Sequence, residues 1–261
     1  SPFAYGAHVL AGGRFHKFEL TQVHRQSEDR FLRILSDIRQ SDYPQDALDD
    51  LNHLCHRPHR AGVTPLFLTG TNAAAARYNA DGLARIDSPP RKFMGKTEGK
   101  FNIAKNKLPV PETVELKVGA RVMALKNDTD KEWVNGSLGV VEAMTGREVR
   151  VRFDHSGKIG EVKISSWDNI RYDWDEPTQK PVSTVVGSYA QIPLTLAWAV
   201  TIHKAQGLTL DDARIDLERG AFASGQTYVA LSRARTLAGL SLARALTLRD
   251  VITENRHGEY I

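Results

Sequence analysis

Two largely apolar stretches of the chain end in polar side chains that suit an anionic ligand. In the first, residues 197–208, four polar side chains fall within six positions: Thr201, His203, Lys204 and Gln206. The second, residues 228–235, ends in the sequence Ser-Arg-Ala-Arg. Because burying an arginine is costly unless an anion meets it, Arg233 either faces an anionic group or lies at a solvated helix end. Gly207 is predicted to end a helix, as a C-cap glycine does.

A further candidate, Arg25, lies where a predicted strand meets a predicted helix. Residues 17–21 can form a short strand, and Ser27 is a suitable N-cap for the helix that follows. The apolar residues of that helix recur at helical spacing: Phe31, Ile34, Leu35 and Ile38. Since α/β folds place ligand contacts at such junctions, Arg25 is a candidate ligand contact, and a surface arginine is the alternative.

The sequence Gly70-Thr71-Asn72 occupies a similar junction. It follows residues 65–69, a short apolar run that predicts a buried parallel strand, and it precedes a helix-prone run, residues 73–86. Backbone N–H groups and hydroxyls at such a turn can bind an anion. Three further elements are predicted: a helix over 45–55, a core strand over 213–217 and a closing strand near Leu240.

The composition limits the class of protein. The chain has 261 residues, enough for one large domain or two smaller ones, and its net charge of +4 fits a nucleic-acid partner without requiring one. Cys55 is the single cysteine, which excludes an internal disulfide and favours a reducing compartment. No apolar run approaches the roughly 20 residues of a membrane helix, and no signal peptide is recognisable. We therefore expect an intracellular soluble protein, cytoplasmic, nucleoid-associated or nuclear, with no membrane partner.

Two further motifs are rejected because of their context. Four possible metal ligands lie close together: His53, Cys55, His56 and His59. No second group of cysteines or histidines completes a tetrahedral site, so no metal is predicted. Gly95-Lys96-Thr97 imitates the end of a phosphate-binding P-loop, but Pro90 stands where the motif needs glycine and no apolar strand precedes it. This motif lies in residues 87–112, which are predicted to form an irregular basic loop.

Between residues 127 and 186 the pattern changes to short alternating runs separated by Asn-Gly, Thr-Gly and Ser-Gly turns. Such a pattern is typical of a small β-barrel. Three tryptophans lie here: Trp133, Trp167 and Trp174. They are able to stack on bases, but packing in the core or in turns is the favoured interpretation. The region therefore predicts an all-β subdomain inserted in an α/β chain.

Several of these stretches together resemble one family. The sequence His-Lys-Ala-Gln-Gly at 203–207, followed by Tyr-Val-Ala-Leu-Ser-Arg-Ala-Arg at 228–235, resembles the last two motifs of superfamily 1 DNA helicases. Residues 191–203 resemble its Pif/RecD-like branch in particular. The sequence Leu-Thr-x-Val-x-Arg-Gln at 20–26 resembles the fourth helicase motif, and residues 70–79 resemble the Thr-Asn segment of the family. The chain is thus interpreted as the C-terminal part of a Pif/RecD-like helicase.

The resemblance implies a fold and its domains. The fold is α/β, with a RecA-like parallel sheet of the P-loop-NTPase type and helices on both faces, but without its own Walker A motif. Residues 17–126 and 187–261 would form a discontinuous second RecA-like domain. Residues 127–186 would form an inserted SH3-like β-barrel, and residues 1–16 the linker or the end of a missing first domain.

The resemblance also implies residue roles. Arg233 would be the arginine finger, and Arg25 a second catalytic cation at the terminal phosphate. Gln26, Gln206 and Gly207 would contact the nucleotide, which is ATP with Mg²⁺ held mainly by the absent first domain. Six residues would contact single-stranded DNA: Thr71, Asn72, Asn79, Thr201, His203 and Lys204. For Lys204 the nucleotide side of the cleft remains an alternative.

The expected function is that of a motor domain of an ATP-dependent DNA helicase, moving 5′ to 3′ by family resemblance. Its partners would be single-stranded DNA and the N-terminal RecA-like domain of the same protein. The chain alone is expected to be inactive as an ATPase, because the P-loop lysine and the acidic residues for Mg²⁺ are not recognisable. The alternative is a non-enzymatic nucleic-acid-binding adaptor, against which Arg25, Gln206 and Arg233 argue. A nuclease is disfavoured, since no carboxylate cluster for two metals is evident.

Overall fold

The structure is a computed structural model and describes residue 18, residues 22–101 and residues 108–253. The predicted segment 1–16 and nearly all of the predicted strand 17–21 lie outside this part. The described α-helices are α1 (Asp29–Gln40), α2 (Pro44–Cys55), α3 (Asn72–Ala84) and α4 (Gln226–Leu231), and a 3₁₀ helix spans Leu248–Asp250. Within the described ranges, every helix is too short or too polar to cross a membrane.

The strands divide between two compact units. They are β1 (Leu66–Thr69), β2 (Arg91–Met94), β3 (Lys96–Gly99), β4 (Thr113–Leu116), β5 (Arg121–Ala124), β6 (Leu138–Met144), β7 (Glu148–Phe153), β8 (Ile159–Lys163), β9 (Ser165–Asp175), β10 (Lys180–Gln191), β11 (Leu194–Leu196), β12 (Ala199–Thr201), β13 (Ala213–Asp216) and β14 (Leu240–Leu242). We call Ser1–Gly70 together with Thr209–Ile261 the split unit, and Thr71–Leu208 the central unit.

The split unit begins with two amphipathic helices. The buried face of α1 is the predicted one: Phe31, Ile34, Leu35 and Ile38. The helix starts at Asp29 after Glu28 and has no side-chain cap, so the predicted cap at Ser27 is wrong by one position. Helix α2 has Pro44 in its first turn, where the missing N–H does not matter, and it buries Leu51. Helix α1 packs against α2 and α4, and α2 packs against β14.

Buried parallel strands form the sheet of the split unit. Strand β13 lies between β1 and β14 and is parallel to both, with Ala213 opposite Leu66 on one side and Leu240 on the other. These strands confirm the predictions for 65–69, 213–217 and the region near Leu240. Because parallel strands end at the same edge of a sheet, the loops after β1 and β13 emerge together at that edge.

The central unit is mainly antiparallel. One sheet has the strand order β11-β5-β6-β7-β8, another has the order β3-β10-β9, and β2 pairs with β4. Strands β5 and β11 lie outside the predicted insertion 127–186 but pair within its sheet, and β10 forms a hairpin with β9. The all-β region is therefore wider than the sequence predicts. Helix α3 packs against β12 in the same unit.

One apolar cluster forms the core of the central unit and includes Phe153. Trp133 stacks on Phe153 with ring centroids 5.0 Å apart, and a Cβ added to Gly160 would lie 2.7 Å from the Trp133 ring. Trp167 is partly buried against the cluster, whereas Trp174 is 57% exposed. Core packing is therefore confirmed for Trp133 and wrong for Trp174.

Two predictions of local structure are wrong. The described part of 87–112 contains β2 and β3, and Lys96 and Thr97 of the P-loop-like motif lie in β3, which pairs with β10. Residues 197–208 form β12 and a turn, not a helix. Gly207 lies at the end of that turn with φ of +89°. The β-branched pair Val200 and Thr201 favours the strand over the helix at this position.

Candidate functional site

An open pocket of about 500 Å³ lies in the split unit. Its wall is formed by residues 22–26, which precede α1, by Thr209, and by Tyr228, Ser232 and Arg233 at α4. Three candidates from the sequence therefore share one pocket: Arg25, Gln26 and Arg233.

Arg25 is fixed by two hydrogen bonds at the pocket wall. Its Nε donates to the Thr209 hydroxyl at 3.1 Å, and its Nη1 donates to the Ser232 carbonyl oxygen at 3.0 Å. The neighbouring Gln26 is buried, and its Nε2 donates to the carbonyl oxygens of Ser232 and Ala234 at 3.0 and 2.8 Å. Both N–H bonds of this amide are thus used by backbone. Gln26 therefore positions Arg25, and only its Oε1 is left for the predicted nucleotide contact.

Arg233 approaches the same point from the end of α4. Its Nε donates to the Val229 carbonyl oxygen at 2.9 Å, and its Nη2 donates to the Ser232 Oγ at 2.9 Å. The Ser232 hydroxyl in turn donates to the Val229 carbonyl oxygen at 3.1 Å. Ser232 consequently holds both guanidinium groups, that of Arg25 through its carbonyl oxygen and that of Arg233 through its hydroxyl.

The pocket carries two positive charges at close range, and neither guanidinium forms an ion pair with a described carboxylate. Burial, and then the charge of Arg25, lower the pKa of Arg233 from its ordinary value. Arg25 Nη2 and Arg233 Nη1 take no part in the hydrogen bonds above. An anion with several acceptor oxygens, such as a phosphate, would relieve the repulsion and accept from both groups.

Arg235 differs from Arg233 although only one residue separates them. Its side chain is 56% exposed and forms an ion pair with Asp211 at 2.9 Å. It is therefore the solvated helix-end cation that the sequence left as an alternative for Arg233.

Thr209 and Tyr228 are among the pocket residues that were not predicted. Thr209 accepts from Arg25 but lies in a loop outside every motif, so no sequence pattern marks it. Tyr228 lines the pocket and opens the stretch 228–235, so the motif itself was the available signal.

The other candidates lie in the central unit. One group of them lies on the turn after β12. His203, Lys204 and Gln206 are exposed there. Thr201 is buried, and its hydroxyl accepts from the Lys204 N–H at 3.4 Å, so it shapes the turn. Gly207 has the positive φ given above, a conformation that glycine adopts without strain.

The remaining candidates lie on α3. The Thr71 hydroxyl caps the helix by accepting from a first-turn N–H at 3.1 Å, and Asn72 is exposed beside it. Asn79 Oδ1 accepts from the N–H groups of Trp198 and Ala199, both at 3.0 Å, and its Nδ2 donates to the Ala199 carbonyl oxygen at 2.9 Å. Asn79 thus attaches β12 to α3, which leaves one N–H of its amide for the predicted DNA contact.

The cysteine and histidines after α2 have other partners. His59 lies between the Ser241 hydroxyl, 2.9 Å from Nδ1, and Asp212, 3.1 Å from Nε2. Cys55 is buried, and burial raises the pKa of its thiol to about 11. In the ranges that the structure describes, no three histidine, cysteine or acidic side chains are grouped to hold a metal ion.

The chain is similar to known DNA helicases in sequence and in fold. No protein-family model matches the chain. The ATP-dependent DNA helicase Pif1 of Bdellovibrio bacteriovorus is 34% identical over 244 residues, which cover 92% of this chain and 52% of that protein. The crystal structure of Bacteroides sp Pif1 in complex with ADP-AlF4 has a TM-score of 0.81 and 36% identity, covering 97% of this chain and 57% of that one. The chain belongs to the Pif/RecD-like family of superfamily 1 helicases.

Family membership settles the fold class. Bacteroides Pif1 bound to ssDNA is also similar, with a TM-score of 0.71 and 36% identity over 94% of this chain and 56% of that one. The predicted RecA-like α/β fold is therefore confirmed, whereas the SH3-like character of the insertion stays a prediction. The chain spans about half the length of the Bdellovibrio Pif1, 52%.

Proposed function

We propose that this chain is the C-terminal motor part of an ATP-dependent DNA helicase and supplies the charge-neutralising side of its nucleotide site. A first RecA-like domain of the same protein would bind most of the ATP. Homology to Pif1 helicases supports the proposal. The structural observation that carries it is the convergence of Arg25 and Arg233 on Ser232 in one pocket.

Arg233 has the chemistry of an arginine finger. Transfer of a phosphoryl group needs positive charge at the oxygens of the transferring group, where charge is redistributed in the transition state. The Arg233 Nε and Nη2 are held by Val229 and Ser232, which leaves Nη1 to donate to a phosphate oxygen. Arg25 would add a second charge in a fixed position. Because both groups are held before the ligand arrives, little reorganisation opposes catalysis.

The described residues of the pocket do not fit a magnesium site, since no acidic side chain lines it. Among the described side chains no three histidine, cysteine or acidic groups are gathered to hold a metal ion, and Lys96 of the rejected P-loop motif lies in a strand. We therefore derive no step through the metal, and we expect the chain alone to hydrolyse almost no ATP.

We assign the contacts with single-stranded DNA to residues of the central unit. Lys204 and His203 are exposed on the turn after β12, and Thr71 and Asn72 lie at the start of α3. Cations, hydroxyls and helix-start N–H groups suit phosphate contacts, which position a strand without reading its sequence. Movement from 5′ to 3′ is proposed from the family resemblance.

The test is ATP hydrolysis by the full-length protein with Arg233→Ala and Arg233→Lys. We expect each variant to lower the kcat of DNA-stimulated hydrolysis by about 10³-fold or more, because lysine lacks the planar guanidinium. The affinity for single-stranded DNA should be unchanged. Arg235→Ala is the matched control, since Arg235 is exposed and paired with Asp211; it should keep full activity.

Three results would contradict the proposal. A loss of DNA affinity in Arg233→Ala comparable to the loss of kcat would place Arg233 on the DNA surface. Undiminished hydrolysis by Arg233→Ala would remove its role as the arginine finger. A wild-type protein that binds DNA but hydrolyses no ATP would be the adaptor instead.

A further inference from the structure

The loop after β13 brings an exposed aromatic ring to the end of β1. Gly70 follows β1 directly, and Phe222 lies in the loop between β13 and α4. A Cβ added to Gly70 would lie 3.3 Å from the Phe222 ring and 3.5 Å from Gln226 Nε2. Gly70 thus allows both side chains to approach the backbone closely. The Phe222 side chain nevertheless remains 61% exposed.

Gln226 has a buried hydrogen-bond donor without a partner. The residue is 4% exposed, and its Oε1 accepts from the Phe222 N–H at 3.0 Å. Its Nε2 makes no hydrogen bond within the described part of the chain. An unsatisfied buried donor costs about 1–3 kcal/mol, so a native structure that keeps one has a reason to do so. The buried amide of Gln26 differs from that of Gln226, because its Nε2 donates two hydrogen bonds.

The backbone around Phe222 is fixed on both sides. The Asp250 Oδ1 accepts from the Ala221 N–H at 3.3 Å, and the Gly225 N–H donates to the Ile252 carbonyl oxygen at 2.8 Å. The ring is thus presented to solvent from an anchored loop. Binding residues are often carried on loops that a rigid scaffold positions.

An aromatic face beside a neutral amide suits a nucleobase better than a phosphate. A base stacks on the ring, and an amide N–H donates to a base oxygen or ring nitrogen. A phosphate would need a charged donor, and neither the aromatic ring nor the amide carries a charge. The site also lies at the carboxyl edge of the parallel strands, where open α/β sheets bind ligands. We infer that Phe222 and Gln226 form a nucleobase subsite.

This inference rests on the proposed function, since a helicase has two ligands that carry bases, single-stranded DNA and ATP. DNA is the favoured source, because Thr71 and Asn72, which we assign to DNA, follow Gly70 in the sequence. The stacking chemistry is the same for either source, so the experiment must separate them.

The experiment compares Phe222→Leu and Phe222→Tyr in the full-length protein. Leucine keeps an apolar side chain but removes the aromatic face, and tyrosine keeps that face. Binding is measured by fluorescence anisotropy with oligo-dT and with an abasic oligonucleotide of equal length. We expect Phe222→Leu to weaken oligo-dT binding roughly 5- to 100-fold, to leave abasic binding unchanged, and Phe222→Tyr to bind as wild type does. Tyr43→Leu, at another exposed aromatic residue (79%), is the control.

Gln226→Glu tests the amide separately. Glutamate keeps an oxygen that accepts from the Phe222 N–H but lacks the Nε2 donor, so oligo-dT binding should weaken while the melting temperature shows whether the fold is kept. A variant with a raised KM for ATP and an unchanged affinity for oligo-dT would support the subsite, with adenine as the bound base. Unchanged oligo-dT affinity and unchanged KM in Phe222→Leu would overturn the inference. If the wild-type protein shows no DNA-stimulated ATP hydrolysis, the proposed function itself would be overturned.

Discussion

At the scale of single residues, the arginine pocket depends on Ser232. Its carbonyl oxygen is fixed by the backbone, but its hydroxyl is the group that holds Arg233 Nη2. Removing the hydroxyl should therefore release Arg233 Nη2, while Arg233 Nε still donates to Val229 and Arg25 stays in place. Ser232 acts through Arg233 and is a positioning residue.

We predict that Ser232→Ala lowers the kcat of the full-length protein about 10-fold, since a small misplacement of a catalytic group slows the reaction. The KM for ATP and the DNA affinity should not change, because Arg25 still donates to the backbone. Steady-state kinetics measure kcat and KM separately. Ser232→Thr, which restores a hydroxyl, should recover most of the rate; an equal loss in that variant would show that only packing was disturbed.

The sequence predicts which residue types form the arginine pocket, but it does not predict the groups that they contact. Arg25 and Ser232 are 207 positions apart, so no spacing rule joins them, and the family resemblance supplied the pairing. Gln26 and Asn79 look like ligand contacts in the sequence, yet their amides mainly bind backbone. An amide suits a ligand and a backbone equally well, and only the fold decides between them.

At the scale of elements, helix α3 contains a glycine with a packing role. A Cβ added to Gly82 would lie 2.3 Å from the Trp198 ring. Glycine costs a helix about 1 kcal/mol relative to alanine, so the contact must outweigh that cost. Trp198 also joins the backbone that Asn79 holds, which connects this packing to the candidate DNA turn.

Gly82→Ala should therefore destabilise the protein by about 1–3 kcal/mol, despite the gain in helix propensity, because the methyl group overpacks the interface. Urea unfolding measures the change. Ala80→Gly, in the same helix at an exposed position, is the comparison; it should lose about 1 kcal/mol from helix propensity alone. A stabilised Gly82→Ala variant would mean that Trp198 moves aside freely.

The loop that carries Phe222 is attached to the chain by a buried ion pair. Asp250 is 1% exposed, and its carboxylate accepts from Arg244 Nη2 and Nη1 at 2.6 and 2.9 Å. It also accepts from the Ala221 and Thr247 N–H groups. Burial alone would raise the pKa of Asp250, but the hydrogen bonds from Arg244 and from Thr247 outweigh it, and the pKa is lowered from 3.8.

Because the folded pKa is lowered, the stabilisation by Asp250 is present above its ordinary pKa of 3.8 and is lost as the pH falls below it. We predict that Asp250→Asn lowers the free energy of unfolding by about 2–4 kcal/mol at pH 7, since Arg244 loses its charged partner. The difference from wild type should shrink in unfolding measurements near pH 3. Asp50→Asn removes an exposed partner of Arg30 and should have no measurable effect; an equal loss there would show that burial does not matter.

The helices and strands that could be predicted are those with a clear pattern of apolar residues. The apolar spacing of α1 follows directly from burial on one face, and the continuous apolar run of β1 from burial on both. Strands β2 and β3 were missed because they are short and largely exposed, and β3 pairs with residues 187–190, far along the chain. Their hydrogen-bond partners make them strands, and composition does not encode those partners.

At the scale of the whole molecule, a net charge of +4 fits a nucleic-acid partner without requiring one. The proposed DNA binding would combine local phosphate contacts with stacking, and these two contributions to the affinity respond differently to salt. A phosphate contact releases counterions, so each one adds about −0.7 to the slope of log affinity against log salt on a single strand. A stacked base releases none.

We therefore predict opposite signatures for two variants of the full-length protein. Lys204→Ala should reduce the steepness of the salt dependence by about 0.7, because one phosphate contact is lost. Phe222→Leu should lower the affinity at every salt concentration and leave the slope unchanged, since it removes an uncharged contact. Titrations of oligo-dT at several potassium chloride concentrations measure both. An unchanged slope in Lys204→Ala would move Lys204 away from the DNA, and a reduced slope in Phe222→Leu would show that the ring acts by positioning a cation rather than by holding a base.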